Sequence, residues 1–267
     1  MSETAGTQGR KDIPLLWHIP LSHFSEKARW ALDYKTVGHH RRILGPDYLI
    51  RAWRATGQGK LPILWLEGRA ISDSTQIIAA LEERYPDPAL YPREALTRKR
   101  ALALEDDLDE ELGPALRAAM ITPLFQHDPE VALRVLTTGM PEQAYQKLRP
   151  LLRVFPTFYR FRHRIKEKKL EAYRASVSAA LDRIERERQG RTYLVGASFT
   201  VADLTAAALL APVLQPPELQ YPLRAELPSY AQEYRAGLLR HPVMAWAATI
   251  YRLHRGHSAE VLRPSIT

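Results

Sequence analysis

"LPILWLEGRAISDSTQIIAALEERYPDPALYP", residues Leu61 to Pro92, holds the point at which this chain changes character. Ile63 to Leu66 is a short apolar run that ends in the turn Glu67-Gly68-Arg69, and Ala70 to Ser72 follows, so the spacing predicts two short strands joined by a tight turn. From Ser74 onward Ile77, Ile78, Leu81 and Tyr85 line one helical face. Then "PDPALYP" places three prolines in seven residues, which cannot continue a helix and read as a linker over 86–92. Beyond it strand signals almost vanish.

Upstream, Leu15 to Ile19 reads as a strand, and Phe24, Ala28, Ala31 and Leu32 recur at helical spacing behind it. "HHRRIL" supplies a further strand and Pro46 to Ala55 a short helix, which gives the order βαβαββα over residues 13–85. Downstream, helical patterns cover Leu96 to Met120, Lys168 to Gln189, Val201 to Leu214 and Pro242 to Arg255, so residues 93–267 form an all-α domain. The fold class is α+β. "MSETAGTQGRKD", residues 1–12, reads as a disordered extension without the apolar core of a signal peptide.

With 267 residues and a hydrophobic fraction of 45%, the chain is long enough for two modest cores. No apolar run approaches the roughly 20 residues needed to span a bilayer, so a soluble protein is expected. The absence of cysteine excludes disulfides, thiolate metal sites and a cysteine nucleophile, and fits a cytoplasmic protein. A net charge of +8 favours anions in general. The cations are dispersed and no nucleic-acid motif occurs, so nucleic acid is not an expected partner. The densest basic stretch, Arg160 to Arg174, reads as one solvated helix face. His254 and His257 have a spacing that could meet a metal, but no nearby carboxylate completes a site; both read as surface residues, and no metal is expected.

Three places carry chemistry. Pro62 stands at the mouth of an otherwise central-looking strand; a cis peptide would resolve that conflict and expose the backbone of Leu61 to an extended, peptide-like ligand, whereas the plain alternative is a trans proline at a strand start. "SDSTQI" puts Asp73 and Ser74 where a helix begins, either as ordinary caps or as a seat for an amino-acid zwitterion, the carboxylate on Ser74 and the helix N-H groups, the ammonium on Asp73. "PLSHFSEKARWAL" puts Ser22 and Ser25 at the start of the first helix, with His23 between them, in a position that also suits a helix cap.

These pieces together resemble a cytosolic glutathione transferase: "PLSHFSEKARWAL" its first helix, "GKLPIL" its cis-proline loop, "SDSTQI" its γ-glutamyl-binding turn, and "YLVGASFTVADLTAAALL" the characteristic segment of its helical domain. The resemblance implies a thioredoxin-like N-terminal domain, an all-α C-terminal domain, glutathione as co-substrate and a cytoplasmic homodimer acting in detoxification. It makes Ser22 the catalytic hydroxyl, with Ser25 as fallback and His23 as a neighbour that desolvates or polarises the site. Leu61, with Pro62, meets the cysteinyl unit, Asp73 and Ser74 the γ-glutamyl end, and Lys60 the glycyl carboxylate. The family usually has glutamate where this chain has Asp73, one methylene shorter. A serine donates a hydrogen bond to the glutathione thiolate, which then attacks an apolar electrophile, whereas a cysteine would form mixed disulfides. Two other readings stay open: a non-catalytic ligand carrier or interaction module, and a glutathione-dependent isomerase or ether-cleaving enzyme. Another low-molecular-weight thiol in place of glutathione also stays open.

Thr200 and Asp203 have the spacing of a capping box and belong to folding. Residues 121–165 depart from the familiar pattern: helical stretches broken by Pro129, Pro141, Pro150 and Pro156, rich in Leu, Phe and Tyr. Such a segment is expected to pack, and to roof or extend the electrophile pocket. Peripheral contact with a membrane or a partner through Phe158, Tyr159, Phe161 and the surrounding cations is the less favoured alternative.

Overall fold

The computed structural model describes residues 13–45 and 48–262. The N-terminal domain runs β1 (Leu15–His18), α1 (His23–Tyr34), β2 (His40–Ile43), α2 (Tyr48–Thr56), β3 (Ile63–Leu66), β4 (Arg69–Ser72) and α3 (Ser74–Arg84). This is the βαβαββα order that the periodicity predicts. The four strands form one sheet in the order β2-β1-β3-β4, with β1 parallel to β2 and antiparallel to β3. Residues 1–12, expected to be disordered, and the first two residues of the helix expected from Pro46 lie outside the described residues.

The helical domain contains α4 (Ala95–His127), α5 (Pro129–Leu136), α6 (Glu142–Leu148), α7 (Phe155–Arg162), α8 (Leu170–Arg188), α9 (Val201–Leu214), α10 (Ser229–Leu239) and α11 (Pro242–His254). α4 runs seven residues past the expected end at Met120 and contains Pro114 and Pro123. Ile121, Leu124 and Phe125 on its last turns bury into a second apolar cluster with Ala132 and Ile165, and that burial offsets the backbone bond each proline removes. The basic stretch 160–174 is not one helix face. It breaks after Arg162, passes a left-handed residue at Arg164 and a short 3-10 turn, and restarts as α8. α10 has no counterpart among the expected helices, because "SYAQEYRAGLL" buries only Ala231 and Leu238 and so shows a weak apolar stripe. Nor is His254 a surface residue: it is half-buried, stacked on Phe199 at 4.2 Å and 3.1 Å from the Tyr193 hydroxyl.

The main core is continuous across the two domains, and α9 is its axis, buried on all sides. The capping box at its start is formed as the spacing predicts: Thr200 N donates to Asp203 Oδ2 (2.9 Å), and Asp203 Oδ1 also accepts from Leu194 N (2.7 Å). Among the described residues no helix is long and apolar enough to cross a membrane.

α1 lies between the sheet and α9, and its polar side is buried as fully as its apolar one. Arg255, just after α11, donates to Glu26 Oε1 (2.6 Å) and to Asp33 Oδ2 (2.9 Å). Arg29 pairs with Glu26 at 2.8 Å and Arg41 of β2 with Asp33 at 2.8 Å. Burial works against both carboxylates, but Arg255 and Arg29 hold Glu26, and Arg41 and Arg255 hold Asp33, below their ordinary values.

Removing one partner of a buried ion pair costs about 3–5 kcal/mol, because the other charge stays behind unpaired. Arg255→Met is therefore expected to lower unfolding stability by that amount at pH 7 in urea titrations. Carboxylates with depressed folded-state pKa values contribute fully above their unfolded pKa of about 4 and lose that contribution as pH falls through the lower folded values, so the deficit shrinks below pH ~4. A deficit under about 1 kcal/mol at pH 7 would show that the network is dispensable.

Candidate functional site

Between the two domains lies a cavity of about 1890 Å³. Its walls bring together residues that the chain separates widely: Ser22 at the start of α1, Lys60, Leu61 and Pro62 before β3, and Asp73 and Ser74 at the start of α3. These are the positions expected from the sequence, and all six border the same space.

Ser22 is the N-cap of α1, and its Oγ accepts a hydrogen bond from Ser25 N at 3.4 Å. Among the described residues its own hydrogen has no acceptor, so the hydroxyl can cap the helix and still donate into the cavity. The cap and the chemistry are therefore compatible. Ser25, the fallback should Ser22 point away, has instead the structural role also open to it: it is fully buried, does not border the cavity, and its Oγ accepts from Ile19 N at 3.3 Å, which ties down the β1–α1 turn. It is not placed as a second donor. His23 borders the cavity but is 6% exposed, and burial first, then Arg117 and His163, push its pKa well down. A neutral imidazole there shapes and desolvates the wall and brings no charge.

The Leu61–Pro62 peptide is cis. Leu61 N-H and C=O have no partner among the described residues, whereas the Pro62 carbonyl accepts from Asp73 N at 3.3 Å and links the two loops. Asp73 adopts φ 77°, a left-handed conformation that costs a non-glycine residue about 1–3 kcal/mol. In return its Oδ1 caps Thr75 N at 3.0 Å, which leaves Oδ2 for another donor. Ser74 is 2% exposed beside it, and Lys60 is exposed at the rim.

Residues that sequence reasoning missed complete this end. Lys27 Nζ, fully buried, lies 2.8 Å from Glu105 Oε1 and in contact with Asp109, and Thr75 Oγ1 lies 3.0 Å from Asp109 Oδ2. Asp109 also borders the cavity, and its Oδ1 is buried without a partner among the described residues. Burial raises the pKa of both Glu105 and Asp109, with Lys27 opposing. The acidic run of α4 shows no periodic or motif signal that would have marked Asp109, since only the packing of α4 on α1 and α3 decides which of its acids faces inward.

Residues 121–165 form part of the cavity wall, as their apolar composition suggested. Leu124, Leu136, Phe155 and Tyr159 border it, Gly139 approaches Pro20 so closely that a Cβ would come within 2.7 Å of the Pro20 side chain, and Arg162 donates to the Gly59 carbonyl. Opposite, Gly113 of α4 faces Phe24 so closely that a Cβ would come within 2.7 Å of Phe24 Cζ and 3.4 Å of His23 Nε2. A helical Gly→Ala change normally stabilises by about 1 kcal/mol. Here overpacking, which costs about 1–3 kcal/mol, is the larger effect. Gly113→Ala is expected to lower the urea midpoint; a raised midpoint would mean that the Phe24 ring yields freely.

The N-terminal-domain model of glutathione S-transferases matches residues 16–89 and the C-terminal-domain model matches residues 145–231, together more than half of the chain. Maleylacetoacetate isomerase of Pseudomonas aeruginosa is 33% identical over 111 residues, 38% of this chain and 49% of that protein, so the match spans about half of that relative's length. Among solved structures, a glutathione transferase of Phanerochaete chrysosporium superposes with a TM-score of 0.62 at 16% identity, covering 94% of this chain and 98% of that one. A glutathione transferase family member from Pseudomonas fluorescens, solved with two glutathione bound, gives 0.59 at 13% identity over 91% and 90%. At these identities the structural likeness concerns the fold. With a thioredoxin-like domain and an all-helical domain each matched by its family model, the chain belongs to the glutathione S-transferase superfamily.

Proposed function

We propose that the protein is a glutathione-dependent transferase in which the Ser22 hydroxyl donates to the glutathione sulfur and favours its thiolate. The observation that carries this reading is the convergence of Ser22, Leu61, Asp73 and Ser74 on one cavity, with the Ser22 hydrogen and the Leu61 amide both unengaged by the described residues. The tripeptide lies along Leu61 as a short added strand, its glycyl carboxylate towards Lys60. The γ-glutamyl carboxylate meets the α3 N-terminus and Ser74. Its ammonium meets Asp73, and Asp109 raises the negative field there. That field compensates for the methylene missing from Asp73.

Lowering a thiol from about 8.5 by two units requires roughly 2.7 kcal/mol of preference for the anion. A hydrogen bond to a charged acceptor contributes about 1.5–3 kcal/mol and the N-terminus of α1 up to about 1 kcal/mol, so serine and helix suffice. No charged group from His23 is required, which agrees with its neutral state. The thiolate then attacks an electrophilic carbon, and the leaving group departs with the bonding electrons.

A second reading, glutathione-dependent isomerisation, is favoured by the 33% match to maleylacetoacetate isomerase. In that case the same thiolate adds to the substrate and is expelled again after bond rotation, with glutathione regenerated.

Calorimetric titration of glutathione, with thiolate absorbance followed against pH, tests the reading. The wild type is expected to bind with a thiol pKa lowered by about two units. Ser22→Ala should bind but return the thiol towards ~8.5, losing up to about 100-fold in conjugation rate well below pH 6 and about 25-fold at pH 7, where the wild-type thiol is already mostly ionised. Asp73→Ala should weaken binding itself. A depressed thiol pKa that survives Ser22→Ala would remove the serine from the mechanism.

A further inference from the structure

Charge is not spread evenly along the cavity. Where α4 borders it, Asp106, Asp109, Glu110 and Glu111 come first and Arg117 follows, roughly 9 Å beyond Glu111 at about 1.5 Å per residue. The acidic end faces the start of α3. The other end, beside His23 and Phe24, is cationic, for Arg117 there meets His163 just after α7, and Arg162 acts on the same imidazole.

The two guanidinia are half-buried and held by neutral acceptors. Arg117 Nη1 lies 2.9 Å from His163 Nδ1, with its guanidinium 5.5 Å from the Phe24 ring centroid, and Arg162 donates to the Gly59 carbonyl. Burial first, then Arg117 and Arg162, push the His163 pKa down to about 3, so the imidazole is an uncharged acceptor at neutral pH. Arg160, also half-buried, has Glu167, and Arg183 has Asp107 and Glu111, whereas Arg235 is held by the Val213 and Leu214 carbonyls. Among the described residues no carboxylate lies within ion-pair distance of Arg117 or Arg162. Both act on the Tyr48 hydroxyl, whose pKa burial nevertheless raises, and burial pushes Tyr159 up to about 12, so two phenols stay protonated beside the guanidinia.

An arginine only partly in water and without a counter-ion attracts an anion, and a carboxylate can bind it in bidentate fashion with phenol donors at its side. Phe24, Tyr48 and Tyr159 border the same space and offer faces and edges to a flat ring. We propose that Arg117 and Arg162 receive a carboxylate on the second substrate, so that the electrophile is an aromatic acid and not a purely apolar molecule. This rests on the glutathione-dependent reading above, in which the glycyl carboxylate is taken by Lys60 and the cationic end of the cavity stays free for the partner.

The test is equilibrium binding of an unreactive pair, 3-nitrobenzoate and 3-nitrobenzamide, to protein saturated with glutathione, followed by calorimetry. The wild type should bind the acid at least tenfold more tightly than the amide. Arg117→Met and, separately, Arg162→Met should each abolish that preference while the amide affinity and the glutathione affinity stay within about threefold. Equal binding of acid and amide by the wild type, no binding of the acid up to millimolar concentration, or a loss in the variants that falls on glutathione and not on the acid would each overturn the assignment. Failure of glutathione itself to bind the wild type is a separate result and overturns the reading on which this one rests.

Discussion

The carboxylates of Glu26 and Asp33 are out of contact with water, and they are tolerable there only because Arg29, Arg41 and Arg255 meet them. That requirement governs the rest of the molecule. Arg255 reaches α1 only if α11 has folded onto α9 and the chain has turned back, so the end of the helical domain is joined to the first helix of the other domain. The segment after Arg255 extends the same connection: Ala259 N donates to Asp33, and Glu260 pairs with His39, just before β2. Once α1 is fixed in position and rotation, its N-terminus, with Ser22, is aimed at the interdomain space.

Lys27 makes a second connection of the same kind on the other side of α1. It meets Glu105 and Asp109 of α4, and Thr75 joins them at the start of α3. Three helices from two domains therefore meet at one buried ammonium. Two carboxylates against one cation leave this corner negative, and it is the corner in which Asp73 stands. The domain interface and the electrostatics of the cavity are accordingly one construction, in which interface charges that stabilise the docking of α4 also set the field at the candidate ligand site.

Residues 121–165 give the cavity its depth. Their apolar side chains form a second small core with the end of α4 and with α10, and the backbone approaches the N-terminal domain at Gly139 against Pro20 and at Arg162 against Gly59. Because α7 is held at that point, His163 meets Arg117 and Arg162 lies beside them, and a wall that is apolar in composition acquires two half-buried cations. Charge selectivity in such a pocket follows from which helix face is turned inward, a property of packing and not of composition.

The sequence by itself determined the succession of elements. The strand-turn-strand at Ile63 to Ser72, the proline linker after Tyr85 and the strongly apolar content of Val201 to Leu214 are local patterns, and local patterns fix local conformation. It also marked Ser22, Leu61, Pro62, Asp73 and Ser74, since a cap, a strand-entry proline and a helix start can be recognised from neighbouring residues. Only the tertiary structure decided that these positions border one cavity, that Ser25 turns away to hold a backbone turn, and that "SEKARWALD" is buried on every side despite four charges. It also singled out Asp109, Arg117 and His163. The physical reason is that a charged residue reads as solvated until its partners are known, and here Arg255, Glu105, Asp109 and His163 reach theirs across tens to hundreds of residues, joined by packing that no sequence window contains.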